Sequence, residues 1–514
     1  MCVPKTYKEA VSGDDSDKWK RAMDEEIESF KETETFEVVE RPKDAKVVRG
    51  KWVYTSKGDP TGNITHKARF VAKGCSQVQG INYDETFSPT ARMESVRLLI
   101  AIAINSDFMI HQMDVRRAYL HAPLDCEINC EQPEGYETPE GGGGPKLVWK
   151  LLKSLYGLKQ SGRNWHRVLS DFLKGNGFTQ SKVDTCVFVK IEVDGTTILL
   201  VWVDDIILVA SSDELINSIK FLLMERFRMK DLGDISFFLG IEFSLREGGL
   251  FMSQQLYLKT VLQRFGMDSC KPRGTPCEMK VESYSGSSES IDISQYREMV
   301  GSLVYAMVCT RPDLAYVVTK LSQHLSCPTE GDMVMLKHVF QYIQGTLDRG
   351  LLFTKQSSQL SGYCDADWAS TCEDRRSITG YCFSLSPSGP AISWKSKKQK
   401  SVALSTCEAE YVATSIAAQE AVYLSQLYED MTGINVKPVL IRNDNKGALS
   451  IIKNPANHHK TKHIDIRYHY VRENNEEGNI FVEYVLSGEN IADIFTKASS
   501  KQKLLLFKPY LFGY

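Results

Sequence analysis

The chain has 514 residues and a formal net charge of −3, with 42% hydrophobic and 25% charged residues. This composition is typical of soluble globular proteins, and the length predicts two or more domains. The apolar runs are shorter than the roughly 20 residues of a membrane span, the N-terminus lacks a signal-peptide core, and the near-neutral charge argues against a uniformly basic nucleic-acid binder.

Thirteen cysteines are scattered along the chain without a Cys-x-x-Cys pair. This pattern predicts reduced thiols in an intracellular protein and argues against a disulfide scaffold or a zinc ribbon. Two lysine-rich segments, 395–400 and 458–463, are candidates for phosphate contacts. A lysine run is more often a solvated face, so these segments alone are weak evidence.

The first predicted element is an amphipathic helix over 16–31, whose apolar positions repeat at helical spacing. Alternating strand patterns follow at 51–56 and 64–74. Residues 91–104 predict a buried helix, and residues 111–120 predict a strand that runs into a turn. The N-terminal part of the chain therefore predicts mixed α/β structure.

Four glycines at 141–144 predict a flexible loop, and residues 160–174 predict a helix closed by Gly175. The stretch TTILLVWVDDIILVAS at 196–211 comes next, and eleven of its sixteen residues are apolar. Its two strand-like runs flank Asp204 and Asp205, which predicts a tight hairpin with two carboxylates at its tip.

Two interpretations of this tip are open from the hairpin alone. An Asp-Asp turn facing water fits turn statistics. Half of a metal site fits the preference of hard divalent cations for carboxylate oxygens. Asp114 ends an earlier strand pattern and could complete a three-carboxylate site. Because strand side chains alternate between faces, we expect Asp204 and Asp205 to contribute unequally.

The C-terminal half predicts a polar, serine-rich linker over 275–292 and then three helices between 294 and 346, broken near Arg311-Pro312 and Cys327-Pro328. From residue 361 the pattern changes. Strands are predicted at 361–366 and 379–385, followed by a long helix at 407–430 and further alternation to about residue 500.

Ordered motifs resemble a known family. HQMDVRRAYLHAPL, LKSLYGLKQSGRNW, LLVWVDDIILV, MKDLGDISFFLGIEF and YREMVGSLVYAMVCTRPDLAY resemble the reverse transcriptase of copia-type LTR retrotransposons. GYCDADWAS, DRRSITGYCF, ISWKSKKQKSVALSTCEAEYVA, NDNKGAL, HHKTKHIDIRYHYVRE and NIADIFTK resemble the ribonuclease H that follows it. The resemblance runs from about residue 5 to about residue 500.

The resemblance implies an α/β fold: a right-hand polymerase with fingers, palm and helical thumb, followed by a ribonuclease H-like mixed-sheet domain. The implied domains are a helical lead-in at 1–45, fingers and palm at 46–250, thumb and connection helices at 251–355, the ribonuclease H-like domain at 356–500, and a tail at 501–514. The tail does not resemble the family's usual ending.

The resemblance also assigns roles in the polymerase. Asp114, Asp204 and Asp205 match the Mg²⁺ ligands of the palm, and Tyr119 matches the aromatic residue beneath the sugar of the incoming nucleotide. The remaining implied contacts to nucleotide, template or primer are Gly157, Gln160, Lys67, Arg69, Lys73 and Trp202. Trp202 departs from the tyrosine that the family usually has there. A core role is the alternative for Tyr119, because aromatic residues are mostly structural.

In the second domain, Asp365, Glu410, Asp444 and Asp493 match the four acidic residues of ribonuclease H. Residues two apart on a helix lie roughly 200° apart, so only one of Glu408 and Glu410 can face the site. The resemblance implies two Mg²⁺ ions per active site, with Mn²⁺ as a substitute. Zinc at the 458–463 histidines is a weaker alternative, because thiolates and standard zinc spacing are lacking.

The sequence therefore predicts an RNA-directed DNA polymerase with ribonuclease H activity. The expected partners are RNA and DNA template-primers, RNA–DNA hybrids, deoxynucleoside triphosphates, and other Pol or Gag products of the element, with no membrane. The expected location is the cytoplasm, within a virus-like particle if the element is intact, or the nucleus. The alternative function is a catalytically decayed Pol remnant that only binds nucleic acid or protein. A nuclease alone would leave Asp114, Tyr119 and the hairpin unexplained.

Overall fold

A computed structural model describes residues 3–43, 46–58, 64–139, 146–246, 248–278, 291–368, 374–453 and 462–514. The described residues form sheets surrounded by helices, followed by a helical region and a last mixed sheet. This arrangement confirms the predicted α/β fold class. Among the described helices, none combines the length and apolar character that crossing a bilayer requires.

The N-terminal region places one helix against a long hairpin. Its elements are α1 (Tyr7–Ser12), α2 (Ser16–Glu32), β1 (Phe36–Glu40), β2 (Val47–Val48), β3 (Gly50–Gly58) and β4 (Ile64–Ala72). Helix α2 buries the apolar stripe that the sequence predicted, including Trp19 and Phe30. Strands β3 and β4 pair antiparallel along their length, and α2 packs on β4.

The central region contains the predicted aspartate hairpin. Its elements are α3 (Met93–Asn105), β5 (Met109–Val115), β6 (Pro123–Cys130), β7 (Leu147–Lys153), α4 (Ser161–Gly175), β8 (Thr179–Gln180), β9 (Val187–Glu192), β10 (Gly195–Trp202), β11 (Asp205–Ala210), α5 (Asp213–Arg226) and β12 (Met229–Asp234). One sheet has the strand order β12-β5-β11-β10-β9-β8, and a second has the order β1-β7-β6-β2. Strands β10 and β11 bury both faces, which explains their continuous apolar runs.

A connecting region joins this sheet to the last one. Its elements are β13 (Phe237–Phe238), β14 (Ile241–Arg246), β15 (Gly249–Ser253), α6 (Gln255–Arg264), α7 (Ile293–Cys309), α8 (Ala315–Ser322), α9 (Glu330–Gln344) and β16 (Gly350–Thr354). The two predicted helix breaks are present: Pro312 begins a short 3₁₀ turn, and the Thr329 side chain caps α9. Most of the predicted serine-rich linker, residues 279–290, lies outside the described residues.

The C-terminal region forms the last sheet. Its elements are β17 (Ser361–Asp367), β18 (Ile378–Ser384), β19 (Ala391–Lys398), α10 (Thr406–Thr432), β20 (Val439–Asn443), α11 (Lys446–Lys453), α12 (Lys462–Glu476), β21 (Ile480–Tyr484) and α13 (Lys501–Phe512). The strand order is β19-β18-β17-β20-β21, with β20 parallel to its neighbours. Residues 501–514, predicted as a tail, thus contain a packed helix, and the basic segment at 395–400 begins on a strand.

The central, connecting and C-terminal regions share a hydrophobic core. One cluster of buried side chains runs from α3 through β16 to the last sheet. Arg97 of α3 is buried at this junction, and its guanidinium lies 3.9 Å from the centre of the Trp394 ring. The guanidinium donates hydrogen bonds to the carbonyls of Ile392 at 2.6 Å, Val308 at 2.6 Å and Cys309 at 3.0 Å. One side chain therefore ties three regions together.

Candidate functional site

The first candidate site lies where β5 and β10 end and β11 begins. Asp205, the first residue of β11, stands opposite Asp114 of β5 in the antiparallel register. Directly opposite residues of such a pair share one face of the sheet, with Cβ atoms about 5 Å apart. Asp204 lies in the turn between β10 and β11, and all three aspartates are half-buried. The fold thus places the three aspartates that the sequence singled out at one end of this sheet, although their carboxylate oxygens do not all lie within 4.8 Å of one another.

The turn that carries Asp204 is held in an uncommon backbone conformation. Val203 has a φ of 56°, which is rare for a β-branched residue. Its carbonyl accepts a hydrogen bond from Trp165 Nε1 at 2.6 Å, and the Asp204 carbonyl accepts one from the Val115 backbone N–H at 2.8 Å. Strained backbone persists only where its surroundings determine it, and here hydrogen bonds from α4 and β5 do so.

Two tyrosines lie beside these acids. Tyr119 sits on the 3₁₀ turn Ala118–His121, and its ring centre is 4.8 Å from that of Tyr156. Burial raises the pKa of both hydroxyls, and the charge of Asp204 adds to this effect, while the charge of Arg69 lowers the pKa of Tyr156. The sequence analysis did not single out Tyr156. The signal that could have identified it is its position immediately before Gly157 in the YGLKQ motif.

Two of the three predicted cations lie on β4, and the third follows the end of that strand. Lys67 and Arg69 are exposed on β4, and the Arg69 guanidinium lies 4.9 Å from the centre of the Tyr156 ring. Lys73 follows β4 and lines a cavity of about 820 Å³ that also contacts Lys5 and Trp52. Arg69 is therefore the cation that the described contacts connect to the aspartate site through Tyr156.

Gly157 and Gln160 are held by contacts with other parts of the chain. Gly157 has a φ of 90°, and a Cβ there would lie 2.1 Å from the carbonyl oxygen of Ala72. Only glycine permits this approach to β4. Gln160 is fully buried, accepts a hydrogen bond from Gln77 Nε2 at 3.0 Å and donates one to the Asn82 carbonyl at 2.8 Å. Its described partners are protein groups, so its predicted substrate contact stays a prediction. Trp202 is half-buried and packs on the main core.

A buried ion pair behind the turn had no sequence signal. Arg117, between Asp114 and Tyr119, has a φ of 54° and donates from Nε to Glu26 Oε2 at 3.0 Å. Glu26 belongs to α2 and is 3% exposed, and burial raises the pKa of its carboxyl. Helix α2 therefore supports the turn that carries Tyr119. The pair joins residues 91 positions apart, which pattern analysis cannot anticipate.

The second candidate site is a cluster of buried acids on the last sheet. Asp365 lies on β17, Glu410 lies in the first turns of α10, and Asp444 follows β20. One oxygen from each carboxylate lies within 4.8 Å of the others. Among the described residues this is the one group of three or more histidine, cysteine or acidic side chains with metal-ligand spacing. The fold turns Glu410 inward, whereas Glu408 accepts a hydrogen bond from the Leu404 backbone N–H at 2.8 Å.

Asp493 stands next to this cluster but differs in its partners. It lies on the 3₁₀ turn Ile491–Phe495 and is 4% exposed. Lys497 Nζ pairs with one of its oxygens at 2.8 Å, and Lys503 Nζ contacts the other. Thr496, which follows the turn, donates a hydrogen bond to Asp365. The described contacts therefore place Asp493 at the edge of the triad, held by two ammonium groups.

The electrostatics of the cluster favour a cation. Burial raises the pKa of the Asp365 carboxyl to about 7, and the charge of Asp493 contributes next. Burial also raises the pKa of Glu410 well above its usual range, with Asp365 contributing, although Asn443 Nδ2 donates to Glu410 at 3.0 Å. Buried carboxylates that repel one another gain stability from a bound cation. Carboxylate oxygens are the donors that hard divalent cations prefer.

The histidines of the alternative zinc site fall where the structure describes no side chains. Residues 454–461 lie outside the described residues, as do the side chains of 462–466. Zinc at the histidines of 458, 459 and 463 therefore stays a prediction. The glycine loop at 141–144 also lies outside the described residues.

Comparisons with known proteins agree with the resemblance seen in the motifs. The family described as reverse transcriptase (RNA-dependent DNA polymerase) matches residues 33–279. The retrovirus-related Pol polyprotein from transposon TNT 1-94 of Nicotiana tabacum is 38% identical over 520 residues, which cover 98% of this chain and 38% of that polyprotein. The putative transposon Ty5-1 protein of Saccharomyces cerevisiae is 30% identical over 60% of this chain and 100% of its own length.

A solved structure is also similar. The foamy viral protease-reverse transcriptase in complex with double-stranded DNA aligns with a TM-score of 0.47 and 12% identity, covering 91% of this chain and 69% of that one. The chain spans 38% of the length of the tobacco Pol polyprotein, and 34% of the length of the Pol polyproteins from transposons RE1 and RE2 of Arabidopsis thaliana, which are 35% and 36% identical to it.

Proposed function

Because this chain belongs to the copia-type (Ty1/copia) family of retrotransposon Pol polyproteins, we propose that it is an RNA-directed DNA polymerase with a ribonuclease H activity. The observation that carries the proposal is the presence of two separate carboxylate sets on two different sheets of one chain. One set is half-buried and includes acids on two paired strands, and the other is mostly buried. Each set matches the acids that the motifs assign to one of the two activities.

In the proposed polymerase site, Asp114, Asp204 and Asp205 hold Mg²⁺, with Mn²⁺ as a substitute. Paired divalent cations activate the attacking oxygen and stabilise the leaving group in displacement at phosphorus. The protein's own contribution is to fix the carboxylates by the β5–β11 pairing and by the hydrogen bonds around Val203. Preorganisation of this kind contributes to catalysis because the groups need not reorganise during the reaction.

The surrounding residues bind and orient the substrates in this proposal. Tyr119 lies beneath the sugar of the incoming deoxynucleoside triphosphate, and Arg69 and Lys67 neutralise the triphosphate. Lys73 is the third cation that the motif assigns to the triphosphate. Gly157 and Gln160 shape the wall along the nucleotide and template, and Trp202 lies beside the primer terminus.

In the proposed ribonuclease H site, Asp365, Glu410 and Asp444 hold the divalent cations, and Asp493 completes the set. The substrate is the RNA strand of an RNA–DNA hybrid. Raised carboxyl pKa values support cation binding here, because a cation stabilises the ionised forms that burial disfavours. Thr496 and Asn443 orient Asp365 and Glu410 through their hydrogen bonds.

The proposed partners follow from these two reactions. They are RNA and DNA template-primers, RNA–DNA hybrids and deoxynucleoside triphosphates, together with other Pol or Gag products of the element. The proposed location is the cytoplasm, in a virus-like particle if the element is intact, or the nucleus.

Two assays on the purified chain test the proposal. The first extends a labelled DNA primer on an RNA template with deoxynucleoside triphosphates and Mg²⁺, and the second measures cleavage of labelled RNA in a hybrid. We expect both activities, and we expect chelation of the metal to remove both. Binding of template-primer without extension or cleavage would refute the enzyme proposal and support the alternative of a decayed, binding-only remnant.

A further inference from the structure

Helix α13 is fixed to the body of the protein along one side. Its buried side chains are Leu504, Phe507, Leu511 and Phe512. The helix packs on β16 of the connecting region and on β19 of the last sheet. The Ser500 side chain caps its first turn by accepting a hydrogen bond from the Lys503 backbone N–H at 3.2 Å. The backbone of Lys503 is therefore held at the anchored end of this helix.

From this position Lys503 reaches the acid cluster. Its ammonium contacts one oxygen of Asp493, while Lys497 occupies the other. The Lys503 side chain is 25% exposed, the Lys497 side chain 48% and the Asp493 side chain 5%. Lys497 is four residues from Asp493 in the same turn, whereas Lys503 arrives from a separate helix. The contact of Lys503 thus depends on how α13 packs on the connecting region.

An ammonium on Asp493 changes the balance of charge in the cluster. Thr496, three residues after Asp493, donates a hydrogen bond to Asp365, so the turn that carries Asp493 is in direct contact with the triad. A protein ammonium and a divalent cation compete for the same carboxylate oxygens. The shielded pair with Lys503 is the stronger competitor, because ion pairs weaken with exposure to water.

We propose that Lys503 is a positioning residue whose ammonium competes with divalent metal for Asp493 and so sets the metal requirement of the ribonuclease H site. The inference rests on the proposed function of that site. If Lys503 sets the metal requirement, that requirement also depends on how α13 packs on β16. The proposed polymerase site lies on a different sheet and serves as an internal reference.

Lys503→Gln tests this inference, with Lys508→Gln as the matched control. Lys508 lies on the same helix, carries the same charge and stands 4.2 Å from the Tyr514 ring rather than beside the acids. Binding of Mg²⁺ and Mn²⁺ to each full-length protein is measured by calorimetry. Hybrid cleavage and DNA synthesis are then each measured as a function of Mg²⁺ concentration.

For Lys503→Gln we expect a roughly three- to tenfold lower half-saturating Mg²⁺ concentration in hybrid cleavage, the range of one partly shielded charged hydrogen bond. Calorimetry should show a matching increase in affinity at one site. The Mg²⁺ dependence of DNA synthesis should not change, and Lys508→Gln should behave as wild type in all three measurements.

Unchanged or weaker metal binding in Lys503→Gln would overturn the inference. So would equal loss of both activities with a lower melting temperature, because that result means that Lys503 only holds α13 in place. Lys503→Arg retains the charge and should keep wild-type metal affinity. If it instead behaves as Lys503→Gln, charge is not the cause. Absence of hybrid cleavage in the wild type would refute the proposed function, while calorimetry would still test Lys503.

Discussion

The two acid sites of this chain are built in opposite ways. Asp114 and Asp205 lie on neighbouring strands of one sheet, so the backbone ladder alone sets their spacing. Asp365, Glu410 and Asp444 come from a strand, a helix and the end of another strand, so tertiary packing sets theirs. The first site is half-buried and the second is mostly buried. The difference indicates that backbone pairing sets the geometry of the first site, whereas the more deeply buried acids of the second need a cation or a proton to offset their charge.

The largest expected effect comes from removing one acid of the proposed polymerase site, and it distinguishes that site from the ribonuclease H site. Asp114→Asn should lower primer extension on the order of a thousandfold or more, because the charge that holds the metal is lost. Hybrid cleavage should stay near the wild-type rate. Primer-extension rates and cleavage rates on the same protein preparation measure this.

The matched control for that experiment is Asp171→Asn, which removes the same charge from an exposed position on α4. It should leave both activities intact. Full extension by Asp114→Asn would show that this aspartate is not part of the polymerase site.

The reciprocal substitution removes one acid of the proposed ribonuclease H site. Asp444→Asn should lower hybrid cleavage by about a hundredfold or more, since it removes one ligand of the triad. DNA synthesis should be retained within about twofold, because the acids of the polymerase lie on a different sheet. Glu473→Gln, an exposed acid on α12, is the control. Loss of both activities in Asp444→Asn would mean that the two sites are not independent.

A smaller effect tests how the proposed polymerase site selects deoxyribonucleotides over ribonucleotides. Tyr119→Val should raise incorporation of ribonucleotides relative to deoxyribonucleotides by about 10- to 100-fold, because the ring that would exclude a 2′-hydroxyl is removed. Tyr119→Phe keeps the ring and should keep the wild-type ratio. Competition assays with both nucleotide types give the ratio. If Tyr119 is only a core residue, Tyr119→Val weakens both substrates together and the ratio stays constant.

The smallest expected effect concerns stability in the absence of metal. The pKa of Asp365 is raised to about 7 by burial, against 3.8 for the ordinary group, so the folded protein keeps a proton that the unfolded chain releases. Stability from this group is present below about pH 4 and is lost as the pH rises through about 7. The change should be on the order of 1–3 kcal/mol for the whole chain.

Urea unfolding at pH 5 and pH 8 in the presence of a chelator measures this dependence. Asp365→Asn should be less sensitive to pH than the wild type, and Mg²⁺ should restore stability to the wild type at pH 8. Identical pH profiles for the two proteins would contradict the proposed protonation of Asp365.

Sequence reasoning predicted the parts of the molecule that local physics determines. The hairpin at 196–211 has two apolar runs and a two-residue break, which are sufficient to predict strands and a turn. The angular separation of residues on a helix predicted that only one of Glu408 and Glu410 faces the site, and the family resemblance assigned that role to Glu410. The positions of the long helices followed from apolar spacing and from the two proline breaks.

The features that the sequence analysis did not predict depend on contacts between distant segments. Glu26 is a buried acid whose partner Arg117 lies in another region, and its own surroundings in the sequence resemble an ordinary solvated helix face. Lys503 stands in a segment that we predicted as a tail, because nothing local shows that α13 would pack on β16. The sequence pattern of 395–400 indicated a charged surface, and its participation in β19 depends on pairing with β18.

The buried Arg97 has a consequence for how the chain reaches its final structure during synthesis. Its hydrogen-bond acceptors on Val308, Cys309 and Ile392 lie 211, 212 and 295 residues further along the chain. A growing polypeptide therefore exposes the arginine long before the ribosome has made the groups that satisfy it. Until then Glu94, at 3.6 Å, is its one charged partner on the same helix, and burying a charge with so few partners is unfavourable. We therefore expect α3 to reach its final packing only after β19 has emerged, although α3 is made about 300 residues earlier.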